Sequence, residues 1–369
     1  MKKRIAFILT LVMLVAVLTG CMGTPVVYYS NCDCPEDAHV AAENVQEAAP
    51  VETAAPEAAA DTADEAKAEG ALKTGLAVVA SLAKSENAVQ ADYDVTYVAV
   101  TVDDNGVIQD CIIDGMAKQI AFDASGAITA DLSADILTKN ELGDAYGMKA
   151  YGGAKYEWYE QAAALADFAV GKTVEELRNG AVSESGKAPE GSDLASTATI
   201  YLGGYVSAIE AAVGNAQHLG AQAGDELRLA VINGASSSAS ATAEAAGNAQ
   251  LDSDVVALTV NGGVITSCYI DSLQAKVAFD QTGAITTDLT APVQTKNQLG
   301  EGYGMKAWGG STYEWNEQAA SFAAYVTGKT AEEVAGIAVS EGKATEADIA
   351  STVTISIGGF QALIAKAMQ

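Results

Sequence analysis

Histidine is nearly missing from this 369-residue chain, which has only His39 and His218, and its 20 lysines and arginines are outnumbered by 48 acidic residues. Without histidine, most imidazole metal sites and the Ser–His or Cys–His pairs that activate nucleophiles are removed. Without positive charge, the net of −28 sets the surface against a phosphate backbone and excludes nucleic acid as a partner. A bilayer-length apolar segment is lacking at the N-terminus, where the run over residues 5–17 falls short of the roughly 20 residues a span needs. Hydrophobic residues nonetheless make up 49% of the chain, enough for ordinary cores, and the length suits about two domains.

The short apolar run follows Met1-Lys2-Lys3-Arg4 and ends in Leu18-Thr19-Gly20-Cys21. Positive charge, a short apolar stretch and small residues form a signal-peptide pattern over residues 1–20. The ending resembles the lipobox of bacterial lipoproteins, a resemblance that implies cleavage before Cys21 and a lipid on its thiol. An ordinary secretory signal with an unmodified Cys21 is the plainer alternative. Cys32 and Cys34 form a CxC pair without a second pair or a neighbouring histidine, which is a weak metal or thiol signal. From residue 36 to residue 69 there are ten acids and one base among many alanines, with Pro50 and Pro56. Such a segment buries too little to offset the entropy of ordering, so residues 21–71 are expected to be a disordered acidic tether.

The strongest signal is an internal repeat. Residues 138–176 and 295–333 are identical at 25 of 39 positions at a constant offset, which marks duplicated modules and not a short-period solenoid. Residues 98–102 match 256–260, Cys111 matches Cys268, and residues 193–199 match 348–354. One module is expected over 72–219 and a second over 223–369, each carrying its own strands and helices and each able to fold alone. Residues 93–102 and 107–113 flank Asp103-Asp104-Asn105-Gly106 and read as a hairpin, and Asp123-Ala124-Ser125-Gly126 reads as a second turn. Trp158, Ala162, Leu165 and Ala169 recur at helical spacing before Gly171. Thr173 with Glu176, and Thr330 with Glu333, form capping boxes. A closing helix carries Val206, Ile209, Val213 and Ala216, with Phe360, Leu363, Ile364 and Ala367 as its counterpart. Strands first and helices second make the fold α+β, two antiparallel sheets each with helices on one side.

Several segments invite chemistry. Gly-Lys-Thr at 171–173 and 328–330 fails as a phosphate-binding loop, because Ala166 and Ala323 stand where that loop needs glycine. The glycine-rich block at 143–158 holds Tyr146, Met148, Lys149, Tyr151, Tyr156 and Trp158, repeated as Tyr303, Met305, Lys306, Trp308, Tyr313 and Trp315. Two readings compete: aromatics stacking on a ligand ring with lysine meeting a phosphate or carboxylate, or aromatics filling a core while glycines shape turns. Glu157 with Glu160, and Glu314 with Glu317, sit three apart on a helix, where a solvated face is the expectation and acid–base work the alternative. Cys111 and Cys268 read as unpaired buried thiols, with a bridge between the modules as the alternative.

The segment 193–199 (DLASTAT) and its copy 348–354 (DIASTVT) resemble the flavin-attachment motif of FMN-binding domains, which occur in bacterial surface flavin lipoproteins and membrane electron-transport complexes. In that family the pattern Asp-x-x-Ser/Thr-Gly-Ala-Thr/Ser precedes a helix, and the last hydroxyl is esterified to the FMN phosphate. The resemblance places Asp193, Ser196 and Thr199, and Asp348, Ser351 and Thr354, at matching positions. Thr197 and Thr352 replace the family's glycine, and Val353 its alanine. Without the resemblance, residues 352–357 read as a half-buried strand with alternating hydroxyls.

The combined expectation is a lipid-anchored extracytoplasmic bacterial protein. Its leading function is FMN-dependent electron transfer to a membrane partner, with Tyr146, Lys149, Tyr303 and Lys306 around the flavin. The alternative is a non-catalytic envelope lipoprotein that binds a small ligand or a surface partner.

Overall fold

The computed structural model describes residues 70–369. The segment expected to be a signal peptide, Cys21, Cys32, Cys34 and the expected tether up to residue 69 lie outside the described residues. Gly70 and Ala71, counted with the tether on sequence grounds, already pair with Ala223 and Gln222.

Three strands open the first half: β1 (Lys73–Ser81), β2 (Gln90–Val102) and β3 (Ile108–Ala121), antiparallel in the order β1-β2-β3. The expected hairpin joins β2 to β3. The Asp103 carboxylate accepts the Asn105 and Val107 amides at 2.8 and 2.9 Å, and Gly106 takes the left-handed turn conformation at φ 79°. Helices follow: α1 (Lys139–Leu142), α2 (Trp158–Ala169), α3 (Val174–Ala181), α4 (Asp193–Thr197) and α5 (Gly203–Gly214). Thr173 caps α3 in the reciprocal arrangement with Glu176 that its spacing predicts.

The second half retraces this path with β4 (Glu226–Gly234), β5 (Gly247–Asn261) and β6 (Val264–Phe279), then α6 (Lys296–Leu299), α7 (Trp315–Val326) and α8 (Ala331–Ala335). A two-residue pair, β7 (Val339–Ser340) and β8 (Lys343–Ala344), precedes α9 (Ala347–Ala350) and α10 (Gly358–Ala367). Antiparallel sheets and segregated helices make the chain α+β.

Both faces of each sheet are covered. Along β2, Val98, Val100 and Val102 point to the helices, with Trp158, Leu165 and Ile209. The alternate residues Tyr93, Val95 and Tyr97 point the other way, into a cluster that includes Leu227, Leu251, Val255, Val277 and Phe279 of the second half. The order of layers is therefore helices, sheet, sheet, helices. Gly75 permits the tight seating of α5 on β1, since a Cβ there would lie 2.1 Å from the Ala212 carbonyl oxygen.

The central core is shared, where sequence periodicity suggests two self-sufficient ones. Phe122 stacks on Phe279 with ring centroids 4.0 Å apart. The Tyr93 hydroxyl donates to the Ala249 carbonyl at 2.8 Å, and Tyr97 donates to Asn233 Oδ1 at 3.0 Å. The Thr74 and Ser267 hydroxyls meet at 2.6 Å with both residues fully buried. These polar contacts satisfy groups that would be costly to bury alone, and each joins one half to the other.

Two local expectations change. Residues 352–357 form no strand; α9 ends at Ala350 and the chain runs as turn and coil to α10. Ala216 lies beyond the end of α5, whose buried side is Val206, Ala208, Ile209 and Ala212.

Candidate functional site

The glycine-rich blocks are held by carboxylates. Glu157, at the N-cap of α2, accepts the Met148 and Lys149 amides at 2.7 and 3.0 Å; Glu314 does the same for Met305 and Lys306 at 2.8 and 2.9 Å. Glu157 and Glu314 are 1% and 2% exposed, so the expected solvated acidic face is wrong for these two. Their oxygens are fully engaged in fixing the loop to the helix start, which is a structural task. Glu160 and Glu317 hold the N-cap amides, and that bond lowers their carboxyl pKa below the ordinary range. A proton-holding carboxylate, as acid catalysis needs, is not formed there.

Lys149 and Lys306 are not free for a ligand phosphate. Lys149 Nζ lies 3.2 Å from Glu160 and 3.8 Å from Asp144; Lys306 Nζ lies 3.1 Å from Glu317 and 3.8 Å from Glu301. The aromatics divide. Trp158 and Trp315 belong to the helix–sheet cores, Tyr146 and Tyr303 pack beside them, and Tyr151 and Trp308 are 88% and 89% exposed.

The two DxxS segments lie on α4 and around α9. Asp193, Asp348, Ser196 and Ser351 are exposed, and Ser196 Oγ donates to the Asp193 carbonyl at 2.6 Å. Thr197 and Thr352 donate to the Leu194 and Ile349 carbonyls at 3.1 and 3.2 Å as the helices end, with no left-handed backbone at either. A threonine is thus unstrained where the family pattern has glycine.

Thr199 and Thr354 each converge on one buried glutamine. Gln161 Oε1 accepts the Thr199 amide at 2.8 Å, its hydroxyl at 3.1 Å and the Ile200 amide at 3.2 Å. Gln318 Oε1 repeats this with the Thr354 amide, its hydroxyl and the Ile355 amide at 2.8, 3.2 and 3.1 Å. The donors that would cradle a phosphate are already spent on an uncharged acceptor. A phosphoester at either hydroxyl would lose its proton and set two acceptor oxygens against each other. Covalent attachment of a flavin there would require each hydroxyl to leave its glutamine.

A cleft of about 350 Å³ opens in the second half, lined by Asp254, Lys296, Tyr303, Met305, Trp315 and Phe360, with Ile355, Ser356 and Gly359 along its edge. Of the residues singled out from sequence as ligand contacts, Tyr303, Met305 and Trp315 line it, while Lys306, Asp348, Ser351 and Thr354 do not. Lys296, which sequence reasoning passed over, sits with its ammonium 5.2 Å from the Tyr303 ring centroid and 4.8 Å from that of Trp315. Burial lowers its pKa, against the opposing pull of Asp254, Asp252 and Asp271. Among the described residues no carboxylate forms an ion pair with Lys296, and no hydrogen-bond acceptor reaches its ammonium.

The matching place in the first half is closed. Lys139 is 5% exposed and pairs with Asp94 at 3.5 Å. Burial opposes its charge, but Tyr205, Asp94 and Tyr146 outweigh that and raise its pKa. The Trp158 indole N–H donates to the Tyr205 hydroxyl at 2.9 Å. In the second half Phe360 occupies the position of Tyr205, meeting Trp315 edge-on at 5.9 Å without any hydroxyl to accept a hydrogen bond. The signal was present in the repeat: Thr-Lys-Asn opens both copies, and Tyr205 against Phe360 is a polar-for-apolar exchange at the facing position.

Cys111 and Cys268 are buried free thiols in the helix–sheet cores, and burial raises the pKa of each, so neither is poised as a nucleophile. Among the described residues no group of His, Cys, Asp and Glu is arranged to hold a metal ion, and no helix is long and apolar enough to cross a membrane. Comparison with known proteins finds no matching family model, no matching curated sequence and no matching solved structure.

Proposed function

We propose that this chain is a non-catalytic, lipid-anchored extracytoplasmic protein built from two copies of one module, and that its second copy binds a small ligand without covalent attachment. The observation that carries this reading is the divergence between the copies. The Lys139 position is buried and ion-paired, whereas the Lys296 position borders a cleft with its ammonium unpaired. The volume lies at the low end of small-molecule sites, and aromatic walls with a few polar groups are the usual composition of such sites.

The test is a thermal-shift panel of flavins, sugars, organic acids, nucleobases and amino acids on the wild type and Gly359→Phe. Gly359 lies at the cleft, and a Cβ there meets nothing closer than Asp254 Oδ2 at 3.7 Å, so the added ring enters the cleft without a backbone clash. A ligand at a hundred times its Kd adds about 2.7 kcal/mol to stability. At least one compound should raise Tm of the wild type and not of Gly359→Phe. Identical responses in the two proteins across the panel would reject the site.

The flavin reading keeps one supporting observation: Thr354 adjoins Ile355, which lines the cleft beside Tyr303 and Trp315. Co-expression with a flavin transferase followed by intact-mass measurement tests it. An FMN adduct lost in Thr354→Val would reinstate covalent attachment and, with it, an electron-transport partner at the membrane.

A further inference from the structure

The ligand class can be read from the charges of the cleft, an inference that rests on the binding reading above. Lys296 and Asp254 border the same 350 Å³ space, close enough for the aspartate to act on the lysine electrostatically, yet no ion pair joins them. Opposite charges left unpaired in one partly buried space are costly to each, and the cost is removed by a ligand that brings the complementary pair. Two donors belong to residues that line the cleft. The Lys296 ammonium sits 4.8 Å from the Trp315 ring centroid, and the Trp315 indole N–H has no acceptor among the described residues, unlike its counterpart Trp158. A carboxylate that accepted from both would stand where no protein oxygen does.

Apart from Ser356 and Gly359 at the edge, the rest of the lining is apolar: Met305, Phe360, Ile355 and the ring faces of Tyr303 and Trp315. The Tyr303 hydroxyl is already bonded to Gln274 Oε1 at 3.2 Å, so its ring serves as wall. The whole-protein charge of −28 weighs against any ligand with net negative charge and leaves a net-neutral one unopposed.

The geometry points to a zwitterionic α-amino acid with an apolar side chain as the ligand: Lys296 and Trp315 hold its carboxylate, Asp254 holds its ammonium, and the aromatic walls take the side chain. The first copy binds no such ligand, because Asp94 occupies Lys139 and Tyr205 occupies Trp158.

Calorimetric titration of the full chain near pH 7 with L-phenylalanine, phenethylamine and 3-phenylpropionate tests this. The two analogues keep the ring and delete one charge each. L-phenylalanine should bind, and both analogues should bind at least tenfold more weakly. Lys296→Met should weaken L-phenylalanine at least tenfold, with an unchanged thermal transition showing that the variant is folded. Asp254→Asn should narrow the gap between L-phenylalanine and 3-phenylpropionate to less than threefold, a change of preference that general destabilisation does not produce. Equal affinity of the wild type for L-phenylalanine and 3-phenylpropionate overturns the zwitterion. So does the absence of L-phenylalanine binding in a protein whose Gly359→Phe variant still loses the response to another compound of the panel; there the ligand class fails and the cleft stands. If Gly359→Phe alters no response at all, the binding reading itself fails.

Discussion

Cutting the chain between the halves should abolish folding of both. Residues 220–369 alone would uncover the inner face of their sheet, where Leu227, Val231, Leu251, Val255, Leu273, Val277 and Phe279 are all buried. Fully burying side chains of this kind contributes about 1.5–3 kcal/mol each. Neighbours within the same sheet supply part of that burial; if the first half supplies the other half of it, its removal costs about 5–10 kcal/mol. That is comparable to the whole stability of an ordinary domain. The Ser267 hydroxyl also loses Thr74, and the Ala249 carbonyl loses the Tyr93 hydroxyl. The assay is urea denaturation of 220–369 and of 70–219, followed by near-UV circular dichroism, with sedimentation to establish the monomer. Each fragment should lack a cooperative transition, and an equimolar mixture should regain one. A monomeric 220–369 that unfolds in a single steep transition, with the slope expected for its size, would refute the shared-core argument. A fragment that folds only as a self-dimer would support it, since a second copy of the sheet would then stand in for the missing one.

The repeat made the secondary structure readable, because each half reported on the other. The hairpin turn at residues 103–106, the α2 periodicity from Trp158 to Ala169 and the Thr-x-x-Glu caps all carry local signals and all take the form expected of them. The strands β1 and β4 carry no such signal: residues 73–81 (KTGLAVVAS) have neither clean alternation nor a tight turn beside them. What failed was everything that depends on the partner half. Continuous burial over residues 97–102 records a sheet covered on both faces, but sequence alone does not say by what. The glutamates showed the same limit. Glu157 and Glu160 share a helical start and a charge, yet one is buried beneath two loop amides and the other is bound to Lys149 near the surface. The cleft was hidden for another reason. Lys296 stands in a Thr-Lys-Asn segment that looks like any capped turn, and its openness follows from the absence of an acceptor that only spatial neighbours reveal.

Two other outcomes are expected. Because Cys21 follows Leu-Thr-Gly after a short apolar run, Cys21→Ser should accumulate as unprocessed or released protein, and a cleaved, lipid-modified Cys21→Ser product by mass would end the anchor assignment. The pH dependence of stability should carry the mark of Asp114 and Asp271, buried at matching places in the two halves at 8% and 7% exposure. Burial pushes each carboxyl up to about 6, against the hydrogen bonds it accepts; Glu141 adds to the rise at Asp114, and Lys296 opposes it at Asp271. A carboxyl whose folded pKa lies above its ordinary 3.8 binds more protons in the native state across that interval. Its contribution is therefore largest in acid, falls as pH rises from about 4 to 6, and is gone above that window. A shift of about two units corresponds to about 3 kcal/mol. In Asp271→Asn the amide oxygen can still accept the Ser272 and Asn297 amides, now at 2.7 and 3.1 Å, without titrating. The stability of wild type minus that of Asp271→Asn, from urea curves at half-unit steps, should drop by about 3 kcal/mol between pH 4 and 7 and then level. Taking the difference cancels the exposed carboxylates with depressed pKa, such as Asp280 and Asp288, which act with the opposite sign in both proteins. Parallel curves across that range would mean that Asp271 is ionised in the fold as readily as in the unfolded chain, and the burial argument would be wrong.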